Sequence, residues 1–163
     1  MDLIFLKKFA LLKELTQQEL KIFSSKLKLE KFKADEYIIK EGDLDDKLFI
    51  LNKGKVCISK KMSMIDDQEK IDKTFVVLDD SQYIFFGEVG LLGAQKRTAN
   101  CQAKTDCEVY SIRHKQFMAI CQDNPKIGYK MLFEICLKLA KTLEKNNDDI
   151  LKLTTALVYA LKG

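Results

Sequence analysis

FGEVGLLGAQKRTA, residues 86–99, is the stretch on which the reading of this chain turns. It holds three of the seven glycines, one acid at Glu88, and Arg97, one of only two arginines. A tight glycine turn, a short apolar helical turn and then a single arginine suit the holding of a small anion. The first turn of a helix offers backbone amides that lack intrahelical partners. Gly87 and Gly90 let backbone and ligand approach without a Cβ between them. A guanidinium bonds two oxygens of one anion as a planar fork, which an ammonium cannot do as well. Arg97 is the only such fork among the strand-forming segments. Glu88 is misplaced beside an anion unless its carboxylate accepts a hydrogen bond from a hydroxyl on the same ligand. Thr98 adds a hydroxyl next to the arginine.

Composition bounds what can surround this loop. The chain has 163 residues, of which 47% are hydrophobic, enough for one core with a modest appendage. Its 28 Lys and Arg against 24 Asp and Glu leave a net charge of +4, with the lysines scattered. That balance argues against a nucleic-acid partner, whose binders cluster basic residues. No run of 18 apolar residues predicts membrane insertion, and the lysine-interrupted N-terminus lacks the cleavage pattern of a signal peptide. Five cysteines without a CxxC, together with one histidine, His114, give no zinc pattern. Buried thiols in a reducing, cytoplasmic setting are expected.

Moving outward, Leu3 to Leu15 has apolar residues near helical spacing, and Thr16 to Glu19 reads as a capping box opening a second helix. From Leu29 the pattern becomes short strands: 37–39, 48–51, 55–59, 74–78, 83–86, 100–103 and 108–112. Gly42 and Gly54 stand at turns between them, and Lys60 to Asp72 reads as a long exposed connection. A short helix follows at His114 to Cys121. A last helical pattern starts at Asn124-Pro125 and carries apolar residues at 132, 135, 139, 143, 150, 153 and 157. Asn146-Asn147-Asp148-Asp149 either breaks this pattern into two helices or places Asn146 in a dimer seam. The expected fold is α+β: an antiparallel β-barrel of the double-stranded β-helix, or jelly-roll, kind over 29–113. N-terminal helices (1–28) and a long C-terminal helix or helix pair (114–163) flank it.

Three segments taken together resemble the cyclic nucleotide-binding domains of the catabolite activator protein, of protein kinase A and G regulatory modules and of cyclic nucleotide-gated channels. They are YIIKEGD at 37–43, LFILNKGKVCI at 48–58 and FGEVGLLGAQKRTANCQA at 86–103, within a similarity covering roughly Leu6 to Lys145. The resemblance implies a phosphate-binding cassette over 86–99, with Glu88 on the ribose 2′-hydroxyl and Arg97 on the cyclic phosphate. Gly87, Val89, Gly90, Leu91, Thr98 and Ala99 complete that site. The proline that often precedes the arginine in this family is Lys96 here. Asn146 and Asn147 are candidates for base contacts from the helix that caps the pocket. The implied ligand is cAMP or cGMP, with cAMP favoured by broad usage and Thr98 leaning toward guanine. The implied function is a non-catalytic sensor, without cofactor or metal, that moves its C-terminal helices. A homodimer through the last helix and an unidentified effector protein are the expected partners. The alternatives are a catabolite-activator-type transcription regulator without its DNA-binding domain, or a scaffold that has lost its ligand. A jelly-roll metalloenzyme would need several histidines, which one His114 does not supply.

Overall fold

A computed structural model describes residues 2–63, 70–93 and 95–162. Eight strands form the centre: β1 (Lys28–Phe32), β2 (Tyr37–Ile39), β3 (Lys47–Lys53), β4 (Lys55–Ser63), β5 (Lys70–Asp79), β6 (Phe85–Phe86), β7 (Asn100–Ala103) and β8 (Cys107–Arg113). They make two four-stranded antiparallel sheets, ordered β1-β8-β3-β6 and β2-β7-β4-β5. The first strand pairs with the last, the second with the seventh, and so on inward to β4 with β5. That nesting is one long hairpin rolled on itself, the jelly-roll topology.

β3 shows why its sequence does not alternate. Phe49 and Leu51 face the core between the sheets, alongside Val56, Cys101 and Val109. Leu48 and Ile50 point the other way, into a second core shared with the helices. A strand covered on both faces reads as a continuous apolar run, here Leu48-Phe49-Ile50-Leu51. The connection expected at 60–72 is shorter than its polarity suggests. β4 continues to Ser63 and β5 begins at Lys70, paired residue by residue, because a backbone ladder needs no apolar side chains. Residues 64–69 lie outside the described residues.

Five helices pack around the first sheet: α1 (Leu3–Leu6), α2 (Gln17–Ser24), α3 (Glu88–Leu92), α4 (His114–Asp123) and α5 (Pro125–Lys162). The single helix expected over 3–15 is instead α1 and a 3-10 turn at Ala10–Leu12. Leu6, Phe9, Leu11, Leu12 and Leu15 are all buried, and they do not fall on one stripe of an α-helix, so an irregular path buries them better. The capping box forms: the Glu19 amide donates to Thr16 Oγ1 at 3.3 Å, and the Thr16 amide to Glu19 Oε2 at 2.7 Å.

α5 runs unbroken through Asn146-Asn147-Asp148-Asp149 for 38 residues, about 57 Å at 1.5 Å per residue. Neither proline nor glycine interrupts it after Gly128, and four weak helix formers inside long runs of strong ones cost too little to stop it. Its first half is anchored at i, i+4 and i+8. Lys130 reaches Glu19 at 2.7 Å, Glu134 takes Lys13 at 3.1 Å, and Lys138 takes Glu88 at 3.0 Å. From Ala140 onward every described residue of the helix is exposed. Among the described residues no helix is long and apolar enough to cross a membrane.

The cysteines divide by environment. Cys57, Cys101 and Cys107 are buried, Cys121 is half-buried, and Cys136 is exposed, so the expectation of uniformly buried thiols is corrected at Cys136. Burial pushes the Cys101 thiol up to about 12, leaving essentially no thiolate at neutral pH. A maleimide reagent should therefore label Cys136 in the native protein and reach Cys57, Cys101 and Cys107 only after denaturation. Peptide mapping of early labelling at Cys101 would contradict the packing described.

Candidate functional site

Two loops meet to make the site. The amide of Gly42 donates to the Arg97 carbonyl at 2.8 Å, the Arg97 amide donates to the Asp43 carbonyl at 2.9 Å, and Leu44 bridges Lys96. This backbone pairing sets the 41–46 turn beside Arg97. The turn itself uses the left-handed conformation at Gly42, φ +87°, which glycine adopts without Cβ strain.

Arg97 is the centre. Its side chain is only 4% exposed, a depth at which a charge must be paired and hydrogen-bonded. Nη1 donates to the Gly87 carbonyl at 2.9 Å. Nη2 donates to the Lys47 carbonyl at 2.5 Å and to Asp45 Oδ2 at 2.6 Å. Nε finds no acceptor among the described residues. Gly87 and Gly90 make room for this group. Gly87 sits at φ +81°, and a Cβ there would come within 2.9 Å of the Lys47 carbonyl. At Gly90 a Cβ would overlap the guanidinium and lie 2.8 Å from the Asp45 carbonyl. Their smallness serves Arg97 first.

A cavity of about 350 Å³ adjoins the guanidinium, lined by Glu30, Phe32, Ile38, Ile39, Lys40, Asp43, Leu44, Asp45, Lys47, Phe49 and Arg97. That is the scale of a small-molecule site. Three acids and three bases line it, so the wall is close to neutral. Lys47 grips both Glu30 oxygens at 2.9 and 3.0 Å, and the Ser111 hydroxyl donates to Glu30 as well. Burial raises the Glu30 carboxyl, but the hydrogen bonds from Ser111 and Lys47 outweigh it and hold it below the usual carboxylate range.

The other expected residues scatter in role. Glu88 opens α3 and is mostly buried, but it faces α5: Lys138 Nζ sits 3.0 Å from Oε1, donates to the Phe85 carbonyl at 2.6 Å and lies 4.3 Å from the Phe85 ring centroid. Glu88 is not among the cavity-lining residues. Val89 is exposed, and Leu91 is a core side chain whose amide closes on the Gly87 carbonyl at 3.3 Å. His114 Nδ1 lies 2.6 Å from the Leu91 carbonyl, tying α4 to α3. Thr98 is exposed and Ala99 half-buried. Asn146 and Asn147 lie on the exposed half of α5, and the structure does not bring them to the cavity. Sequence reasoning missed Asp45 and Lys138. Arg97 and Glu88 do not pair with each other; Arg97 pairs with Asp45 and Glu88 with Lys138. The available signal for Asp45 was the acid-rich EGDLDD turn, read only as a turn.

The model of the cyclic nucleotide-binding domain matches residues 29–124. The chain belongs to the cyclic nucleotide-binding domain family. The cAMP-activated global transcriptional regulator CRP of Salmonella typhimurium is 31% identical over 131 residues, covering 80% of this chain and 59% of the relative. The chain thus spans about three-fifths of that protein's length. Among solved structures, the Thermus thermophilus catabolite activator protein superimposes with a TM-score of 0.76 at 21% identity, over 89% of this chain and 63% of the other. A cyclic nucleotide-binding domain from Methylobacillus flagellatus gives 0.76 at 20% identity, over 91% and 80%. These two likenesses concern the fold, and the jelly-roll pairing order agrees with them.

Two outcomes test the site's packing. Gly90→Ala should destabilise the fold by about 1–3 kcal/mol in chemical denaturation, as overpacked sites do. Glu30 has a lowered folded-state pKa, so its contribution is complete above the unfolded-state value and is lost as pH falls through the folded one. Stability measured across acid pH should decline over that window, and Glu30→Gln should flatten the decline.

Proposed function

We propose that this domain is a non-catalytic sensor that binds a cyclic nucleotide, cAMP in preference to cGMP, in the Arg97 cavity and reports binding through α5. The observation that carries the reading is the buried arginine, its Nε without an acceptor among the described residues, beside a cavity of ligand size. A buried N–H without an acceptor is costly, and a phosphate oxygen would satisfy it. The matched family supports the ligand class. cAMP is favoured because the Salmonella typhimurium relative is described as cAMP-activated.

The route to α5 starts at Glu88. Its carboxylate is the acceptor suited to a ribose hydroxyl, and it is held by Lys138 of α5. A sugar bonded at Glu88 changes the environment of that ion pair, so ligand binding and the seating of α5 are linked through one side chain. Linkage requires differential contacts in the two states, and the proposal places them at this pair. Beyond it, Leu143, Ile150, Leu153 and Leu157 form an exposed apolar stripe continuing from Leu139. Most helix stability in proteins comes from packing of an apolar face, and pairing with a second copy through that seam would bury the stripe, with Asn146 setting register. An effector protein is the further partner we propose.

Calorimetric titration with cAMP and cGMP tests the ligand. Arg97→Ala should weaken binding by on the order of a hundredfold, the loss of a charge-assisted fork; unchanged affinity would remove the phosphate assignment. Analytical ultracentrifugation tests the seam: a dimer is expected, and Ile150→Glu should give a monomer. A wild-type protein that stays monomeric at high concentration, with and without nucleotide, would refute the seam.

A further inference from the structure

The guanidinium that is to hold the ligand already holds an anion. Nη2 spends both of its hydrogens on protein oxygens, one of them Asp45 Oδ2 at 2.6 Å. Nε–H and Nη2 share one edge of the planar guanidinium, the edge that takes two oxygens of a phosphate side by side. Nη2 is taken up by Asp45 and the Lys47 carbonyl, and Nε has no acceptor among the described residues. A phosphate placed there while Asp45 stays would set two anions against one cation, an arrangement that disfavours both charges.

We propose that Asp45 is an internal counter-anion that sets affinity and selectivity at this site, and that a ligand enters by exchanging its phosphate for the Asp45 carboxylate. The proposal rests on the nucleotide reading of the same cavity. The geometry permits the exchange. Asp45 is a quarter exposed, whereas Arg97 is almost fully buried, so the carboxylate can turn to water while the guanidinium stays. Asp45 also lies in the turn just before β3, between Leu44 and Asp46, and outside either sheet's ladder. Of the other cations of the wall, Lys47 is paired with Glu30, and Lys40 lies over the Tyr37 ring at 5.7 Å. Two consequences follow. Without ligand the buried arginine stays neutralised and the fold stays intact. Small anions are turned away, because an incoming group must supply both oxygens at the Nε edge and further contacts that Asp45 lacks.

The test compares wild type, Asp45→Ala and Asp45→Asn by calorimetry with cAMP and cGMP, and by thermal shift with inorganic phosphate. In wild type, nucleotide should bind and millimolar phosphate should leave the melting temperature unmoved. Asp45→Ala should bind nucleotide about tenfold or more tightly, the gain from deleting a competing ion pair, and should become stabilised by phosphate. Asp45→Asn keeps an acceptor for Nη2 and guards against misfolding; it should fall between the two. Should Asp45→Ala fold only when phosphate is added, the counter-anion role is supported. Nucleotide affinity in Asp45→Ala and Asp45→Asn equal to or weaker than wild type, without a phosphate response, overturns it. Phosphate stabilisation of Asp45→Ala with no nucleotide binding by any variant keeps the counter-anion role and refutes the nucleotide reading instead. No response to either ligand in any variant refutes both.

Discussion

A guanidinium buried to the depth of Arg97 must be neutralised and hydrogen-bonded, and much of the architecture near the site follows from that requirement. Gly87 and Gly90 leave the volume it occupies, and the Gly87 and Lys47 carbonyls turn toward it. The backbone pairing of residues 42–44 with 96–97 brings Asp45 to it. Truncating one partner of such a buried pair typically costs about 3–5 kcal/mol. The site is therefore also a structural joint between the 41–46 turn, β3 and α3.

The same economy of pairing joins the site to the long helix. Lys130, Glu134 and Lys138 lie one turn apart on α5 and reach α2, the N-terminal turn and α3 in succession. The last contact takes Glu88, the carboxylate to which the proposed function assigns a sugar hydroxyl. Anchoring therefore ends where the proposed ligand contact begins, and the exposed half of α5 starts two residues later at Ala140. A change at Glu88 has a short mechanical path to a helix about 57 Å long.

Much of the fold was legible because local physics wrote it. The capping box at Thr16 and Glu19, the helix start at Pro125 and the glycine turns at Gly42 and Gly54 depend on residues adjacent in the chain. Seven of the eight strands followed from short β-rich runs with turn residues between them; β1, Lys28–Phe32, did not, because its charged KLEKF sequence carries little β signal. Readings failed where environment overrode pattern: the N-terminal segment breaks because its leucines must be buried in several directions, and β4 and β5 extend because ladder pairing ignores side-chain polarity. Asn146 to Asp149 looked capable of ending a helix, yet the strong helix formers on both sides carry it through.

By itself the sequence determined that residues 86–99 form a glycine turn, a short helix and an arginine, because each step depends on neighbours a few residues apart. It also determined the family, since three ordered segments carry the resemblance. Only the tertiary structure decided what these charges do. Arg97 finds Asp45 across 52 positions, and Glu88 finds Lys138 on a helix that begins 37 residues later. No periodicity encodes such partners. They are chosen by which loops the rolled sheets bring together, and by the rule that a buried charge takes the nearest opposite charge within reach.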